Sequence, residues 1–437
     1  MMAGGAGLAR QAPDMLCFSH LRWDWVWQRP QQLLTRLARR RGGRIFFVEE
    51  PLPRAEARTG QARPGWQIDE VAPGITRCVP LLDATWPFFL DDGGEDTRAM
   101  HALLGRLIEE HAVRAPLVWV YTPLAVPLLG TPGLAPNTVV YDCMDELANF
   151  AGAPPELRAR ESQLLRVAVC VFTGGRSMYE ARLGRHDNLH LFPSSIDVAH
   201  FAAAGEEGTP MPPDARPAGH RPGQPTLGFY GVLDERLDRD LLDAVAALRP
   251  GWSFVLVGPV AKIDPARLPQ RPNIAYPGQR PYEALPGYLK GWDVCLMPFA
   301  LNDATRYISP TKTLEYLAAG KPVVSTSVPD VAAGYREVVR FGDTPEAFVA
   351  ACEAALAEPP AERASRQARA RALLAQTSWD ATVARMAALI DAADASAASR
   401  EAEQGATVKA FAAPRNEPGT SPATARRDRW AERLTGS

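Results

Sequence analysis

FALNDATRYISPTKTLEYLAAGKPVVST (299–326) reads as the close of one strand, a polar loop, a helix opening near Pro310, a glycine at the helix C-cap (Gly320) and a second buried strand. Strand, helix and strand with apolar runs at both ends form the repeating unit of a parallel α/β sheet. Ser309, Thr311 and Lys312 stand where the helix starts. The first N–H groups of a helix lack an intrahelical partner and carry the positive end of its dipole. The spot therefore suits a pyrophosphate, with Lys312 as a built-in cation. Glu315 follows on the same face, one turn after Thr311. Its carboxylate would chelate ribose hydroxyls, or pair with Lys312 along the helix.

Working outward, the same alternation fills both halves of the chain. Strands are predicted at 15–19, 44–50, 117–121, 139–144, 169–173 and 189–193, then at 226–230, 253–257, 293–298 and 322–326. Most are continuous apolar runs, the pattern of strands covered by helices on both faces. Helix-period segments lie between them at 29–41, 97–111, 155–167, 177–183, 238–248, 282–290, 311–319 and 344–356, with Ala- and Arg-rich helices at 362–376 and 380–392. The segments 66–70 and 75–79 read as an inserted hairpin. From 201 to 225 a Pro- and Gly-rich stretch without hydrophobic period reads as a linker. The organisation predicted is a first Rossmann-like domain (13–200), the linker (201–225), a second Rossmann-like domain (226–376), a terminal helix (377–396) and a disordered tail (397–437). Two such β/α/β domains face each other across a cleft, and ligands collect beyond the carboxyl ends of parallel strands.

Composition narrows the classes. The 437 residues carry 48 Lys and Arg against 50 Asp and Glu, a net charge of −2, so no global field draws the chain to nucleic acid. The six cysteines include no CxxC pair and no zinc spacing, and four of them lie in apolar runs, as reduced core cysteines do. No signal peptide and no bilayer-spanning run is read, so a cytoplasmic location is expected.

The residues just after strands are the candidates for chemistry. SHLRWDWVWQRPQQL (19–33) alternates Trp23, Trp25 and Trp27 with polar His20, Arg22 and Asp24. The tryptophans either stack on sugar rings or pack between loop and helix, while His20 and Asp24 suit hydroxyls. Gln28, Arg29 and Gln31 open the next helix, whose start can face an anion. Asp142, Asp145 and Glu146 form an acidic cluster after another strand, fit for sugar hydroxyls, a metal or a helix cap. In TGGRSMYEA (173–181) the glycines permit close approach and Ser177 can cap a helix. GFYGVLDERLD (228–238) sets Gly231 at a strand end and Arg236 where a guanidinium fork meets a diphosphate. The loop YPGQRPYEAL (276–285) offers backbone groups to a nucleobase.

The string PTKTLEYLAAGKPVVST (310–326) resembles the nucleotide-sugar segment of GT-B glycosyltransferases, specifically the retaining family 4-like group. FSHLRWDWVWQRPQQL (18–33), 139–165, VFTGGRSMYEAR (171–182) and FPSSIDVAHF (192–201) look like a bacterial subset of it. TSWDATVARMAALI (377–390) is similar to the terminal helix that crosses back onto the first domain. The resemblance implies a nucleotide-sugar donor held by Arg236 and Lys312 at the diphosphate, Glu315 at the ribose, and backbone around 308–311, with Gly231, Ser309 and Thr311 alongside. It implies a glycan or lipid-linked acceptor on the first domain, near His20, Asp24 and Asp145. It further implies retention of anomeric configuration, no metal, no cofactor, and work in surface-polysaccharide synthesis. Two departures stand out: Tyr307 occupies the place of a second family glutamate, part of whose role is expected to fall to Asp303 or Arg306, and the cations after the strand ending near Gly231 are spaced differently. The competing readings are a sugar-nucleotide epimerase or hydrolase on the same fold, and a non-catalytic sugar-nucleotide-binding module. A nicotinamide dehydrogenase fits poorly, since no GxGxxG follows the first strand. Arg36, Arg39, Arg40, Arg41 and Arg44 cluster at one helix end and suggest peripheral contact with anionic lipid, or simply a solvated face.

Overall fold

The computed structural model describes residues 12–56, 64–83, 94–150, 152–217 and 219–411. Two sheets account for its strands. The first contains β1 (Met15–Phe18), β2 (Ile45–Val48), β3 (Leu52–Pro53), β4 (Gly65–Ala72), β5 (Ile75–Leu82), β6 (Leu117–Val120), β7 (Thr138–Cys143), β8 (Cys170–Thr173) and β9 (Leu189–Leu191). Its order is β3-β5-β2-β1-β6-β7-β8-β9, with β4 antiparallel on β5 and every other pair parallel. The second contains β10 (Thr226–Tyr230), β11 (Ser253–Val257), β12 (Ile274–Gly278), β13 (Val294–Met297), β14 (Val323–Ser325) and β15 (Val339–Phe341), in the order β12-β11-β10-β13-β14-β15, all parallel.

Alternation along β1 shows why its run is apolar throughout. Leu16 and Phe18 enter a core with Val118, Val120 and the helix Glu95–Glu110, while Met15 and Cys17 enter another on the opposite face with Leu33, Leu34 and Leu37. All four residues are at most 4% exposed. A buried Leu or Phe contributes about 1.5–3 kcal/mol, so a covered central strand excludes polar residues. Strand order reverses between β1 and β6 and between β10 and β13. At those switch points the loops leaving β1, β10 and β13 splay apart and leave a crevice.

Four expectations change. The 66–70 and 75–79 segments do form a hairpin, but it is no appendage: β5 lies parallel to β2 and widens the sheet. The 201–225 linker carries short helical turns at Ala203–Gly205 and Pro213–Ala215, because Phe201, Ala204 and Ala215 are buried in the core of the second half, with Leu227 and Phe229. The tail predicted from 397 is helical as far as Phe411, continuing the helix Trp379–Phe411, whose Ala, Glu and Arg content favours helix; residues 412–437 lie outside the described residues. The half-buried edge strand β12, with a proline inside it, was legible only as loop.

Along the terminal helix, Trp379, Val383, Met386, Ala387 and Ile390 recur at helical spacing and enter the core of the first half. Arg36 and Arg41 of the helix Arg29–Arg41 meet its Asp380 at 3.1 Å and Asp391 at 3.0 Å. Arg44 pairs with Asp14 at 2.6 Å. Three of the five clustered arginines are thus neutralised within the fold, which weakens the lipid-facing patch. Among the described residues no helix is long and apolar enough to cross a membrane. The cysteines are free and buried.

Candidate active site

Two glycines let the loops after β10 and β11 lie against each other. Gly231 has φ +144° and Gly258 φ +146°. A Cβ on Gly258 would fall 1.9 Å from the Gly231 carbonyl oxygen, so only glycine fits. Pairing then continues past the strands: Leu233 N–H donates to the Pro259 carbonyl at 2.9 Å and Ala261 N–H to the Leu233 carbonyl at 3.1 Å. This zipper sets Arg236 and Lys262 side by side at the cleft.

Lys312 opens the helix Lys312–Ala318, after Thr311 at its N-cap. The helix has only 7 residues, so the lysine itself is the main cationic feature. Its Nζ lies 5.7 Å from the Phe229 ring centroid. Among the described residues it makes no ion pair within 4.0 Å. Burial pushes its ammonium below the ordinary lysine range, although Glu315 pulls the other way. Glu315 does not form the helical ion pair; it accepts a 2.6 Å hydrogen bond from the Tyr230 hydroxyl. Burial raises its carboxyl above the usual range against the pull of Tyr230 and Lys312. Arg236 is held by Asp234 at 2.7 Å.

Across the cleft, His20 Nε2 lies 3.9 Å from Asp145 Oδ2. The other ring nitrogen of His20 is buried with no partner among the described atoms. Burial pushes the Asp145 carboxyl up, but His20, Arg236 and Lys262 together hold it below the usual carboxylate range. These side chains, with Ser309, Thr311, Lys312 and Glu315, line one chamber of about 260 Å³. A second chamber of about 470 Å³ is lined by Asp24, Trp25, Gly258, Gln279, Arg280 and Tyr282 among others. The two share Trp25, Trp27, Tyr230, Gly231 and Tyr282, so they form one continuous cleft between the halves. Gln279 closes its rim by donating to the Trp25 carbonyl.

Not every candidate arrives there. Arg306 is exposed, lies over the Tyr307 ring at 5.4 Å and does not line the inner chamber, because a turn anchored by Asn302 and Thr305 aims it outward. Tyr307 rests against the core of the first half. Asp24, with its side chain 60% exposed, pairs with Arg77 and lines the outer chamber only. The acidic cluster splits: Asp142 is fully buried against Arg29 at 2.8 Å and Glu146 pairs with Arg182 at 2.8 Å, leaving Asp145 toward the cleft. Arg29 is thus spent on Asp142, and Gln31 closes a capping box with Gln28. Ser177 is no cap, since the preceding Gly175 is the N-cap; instead Asp330 of the second half accepts the Ser177 N–H at 3.0 Å. Trp23 is buried edge-on to Phe47 at 5.1 Å and reaches the outer chamber beside Trp25 and Trp27. Tyr230, Tyr282, Phe150 and Lys262 join the site without a distinct motif to announce them.

Residues 224–358 match the family Glycosyl transferases group 1, and the fold is that of GT-B glycosyltransferases. A Bacillus subtilis (strain 168) protein, TuaH, named as a teichuronic acid biosynthesis glycosyltransferase, is 33% identical over 138 residues. That match spans 30% of this chain and 35% of the relative's length. Among solved structures, sucrose-phosphate synthase from Thermosynechococcus elongatus superposes with a TM-score of 0.64 at 17% identity, covering 88% of this chain and 100% of that one. The E. coli trehalose-6-phosphate structure bound with UDP-2-fluoro glucose gives 0.62 at 14% identity, covering 86% and 98%. The catalytic domain of Arabidopsis thaliana starch synthase IV gives 0.59 at 8% identity, covering 88% and 99%.

Proposed function

We propose that the chain transfers a sugar from a nucleoside-diphosphate donor to a glycan or lipid-linked acceptor, with retention and without a metal. The observation that carries this reading is Lys312: an ammonium without a carboxylate partner, at the end of a chamber whose opposite wall holds His20 and Asp145. Lys312 and Arg236 would take the diphosphate and Glu315 the ribose, with the base in the outer chamber near Gln279 and Arg280. As the anomeric C–O bond lengthens, negative charge grows on the leaving diphosphate, and preorganised cations in the cleft stabilise it most there. In the retaining reaction the acceptor hydroxyl attacks on the face the diphosphate leaves, giving its proton to a departing phosphate oxygen. His20 and Asp145 would orient the transferred sugar. UDP-2-fluoro glucose bound in a structure of this fold supports a nucleotide-sugar donor, and the name of TuaH, a teichuronic acid biosynthesis glycosyltransferase, supports a role in surface-polysaccharide synthesis.

The test is a calorimetric screen of UDP-, GDP-, ADP- and dTDP-sugars on the native chain, Lys312→Ala and Glu315→Ala, followed by nucleotide release with and without glycan acceptors. Donor binding lost in both variants, and release that depends on acceptor, are the expected results. Acceptor-independent release would instead mark a hydrolase.

A further inference from the structure

Lys262 is a third cation of the chamber, beside Arg236 and Lys312. It holds φ +60°, a left-handed backbone uncommon for a residue with a side chain. Such strain persists where surroundings enforce it, and here the zipper from Leu233 to Ala261 does so. The result delivers the ammonium to the chamber that Arg236 and Lys312 line. Among the described residues Lys262 makes no ion pair within 4.0 Å. Its Nζ instead lies 4.2 Å from the ring centroid of Phe150, and the Arg236 guanidinium lies over the same ring at 5.5 Å. Phe150 comes from the opposite half, and its neighbour Asn149 donates to the Asp303 carbonyl at 3.2 Å across the cleft.

Arg236 is held by Asp234 at 2.7 Å, but Lys262 has only the π face, a weak and neutral partner, and the two cations repel within one chamber. A doubly charged group would serve them far better. We propose that Lys262 is a further donor-binding residue, contacting the diphosphate beside Arg236, and that the Phe150 ring is a placeholder which the diphosphate displaces. This rests on the donor reading given above. Phe150 then makes each unliganded molecule hold its cations parted and oriented, at the cost of a contact that binding must break.

Lys262→Asn removes the charge while tolerating the left-handed backbone; Phe150→Leu keeps an apolar side chain and removes the π face. Calorimetry with UDP, GDP and ADP, each beside its monophosphate, tests both. For whichever diphosphate the native chain binds, Lys262→Asn should weaken it about tenfold, with the monophosphate affected far less, since charge-assisted contacts to the lost phosphate are the difference. Phe150→Leu should bind the diphosphate about two- to fivefold more tightly, the ring contact no longer opposing it. Equal diphosphate affinity in Lys262→Asn and the native chain overturns the assignment alone. Weakening in Phe150→Leu overturns the placeholder, making the ring part of the bound site. Absence of diphosphate binding by the native chain overturns the donor reading and this assignment together.

Discussion

A Cβ built on Gly231 lies 2.3 Å from Cε of Lys312. The bare backbone after β10 is therefore the surface against which the lysine stem lies, and the ammonium's position depends on it. Gly231→Ala pushes the lysine aside and forces a side chain into φ +144°. Because Lys312 is flexible at its far end, the fold survives, with a loss of about 1–3 kcal/mol from backbone strain. Diphosphate affinity should fall by roughly tenfold, equivalent to about 1.4 kcal/mol. Thermal melts and calorimetry on one preparation separate the two effects.

On the proposed donor site, Glu315 should make nucleotide binding sensitive to acid. Burial raises its native pKa, so the folded chain takes up this proton at a pH where a free glutamate is still ionised. The carboxylate that would accept ribose hydroxyls is complete well above the ordinary value of about 4.3 and is lost as pH falls through the raised one. Nucleotide affinity should decline on acidification from a pH above that ordinary value, and Glu315→Gln should flatten the profile at a uniformly lower affinity. Titrations at several pH values decide it.

His20 and Asp145 should act on turnover rather than on nucleotide binding. His20→Ala and Asp145→Asn are expected to lower kcat by about 100-fold, the usual scale for a lost polar group at the reacting centre. Affinity for the free nucleoside diphosphate should stay within about threefold of native, as for interactions made mainly with the transferred sugar. Steady-state kinetics beside calorimetry measures both.

Asp142, by contrast, belongs to the scaffold. It is fully buried and held by Arg29 through Nε and Nη2. Asp142→Ala strands a buried guanidinium and should cost about 3–5 kcal/mol of stability, whereas Asp142→Leu with Arg29→Met should recover most of it. Urea denaturation of the two variants gives the comparison.

What the sequence disclosed and what it withheld follow from range. Strand runs such as MLCF and VCLM, and the helix beginning at Lys312, are local patterns, and each appears within a residue or two of its reading. Asp142 and Asp145 are indistinguishable in the string, because only a partner 113 residues away removes the first from the cleft. Arg306 and Tyr307 likewise part company through a turn whose hydrogen bonds have no distinct spacing. Phe150 and Lys262 are an ordinary aromatic and an ordinary lysine until two loops from different sheets are brought to one ring.

The chain passes between its halves twice, through the 192–225 segment and again where the helix Trp379–Phe411 settles on the helix Arg29–Arg41. Two covalent crossings restrict the relative placement of the halves more than one would. Arg36–Asp380 and Arg41–Asp391 pin that returning helix to the first half, so any bending between the halves at this crossing falls at 375–378, between the helix Pro360–Leu374 and its own first turn.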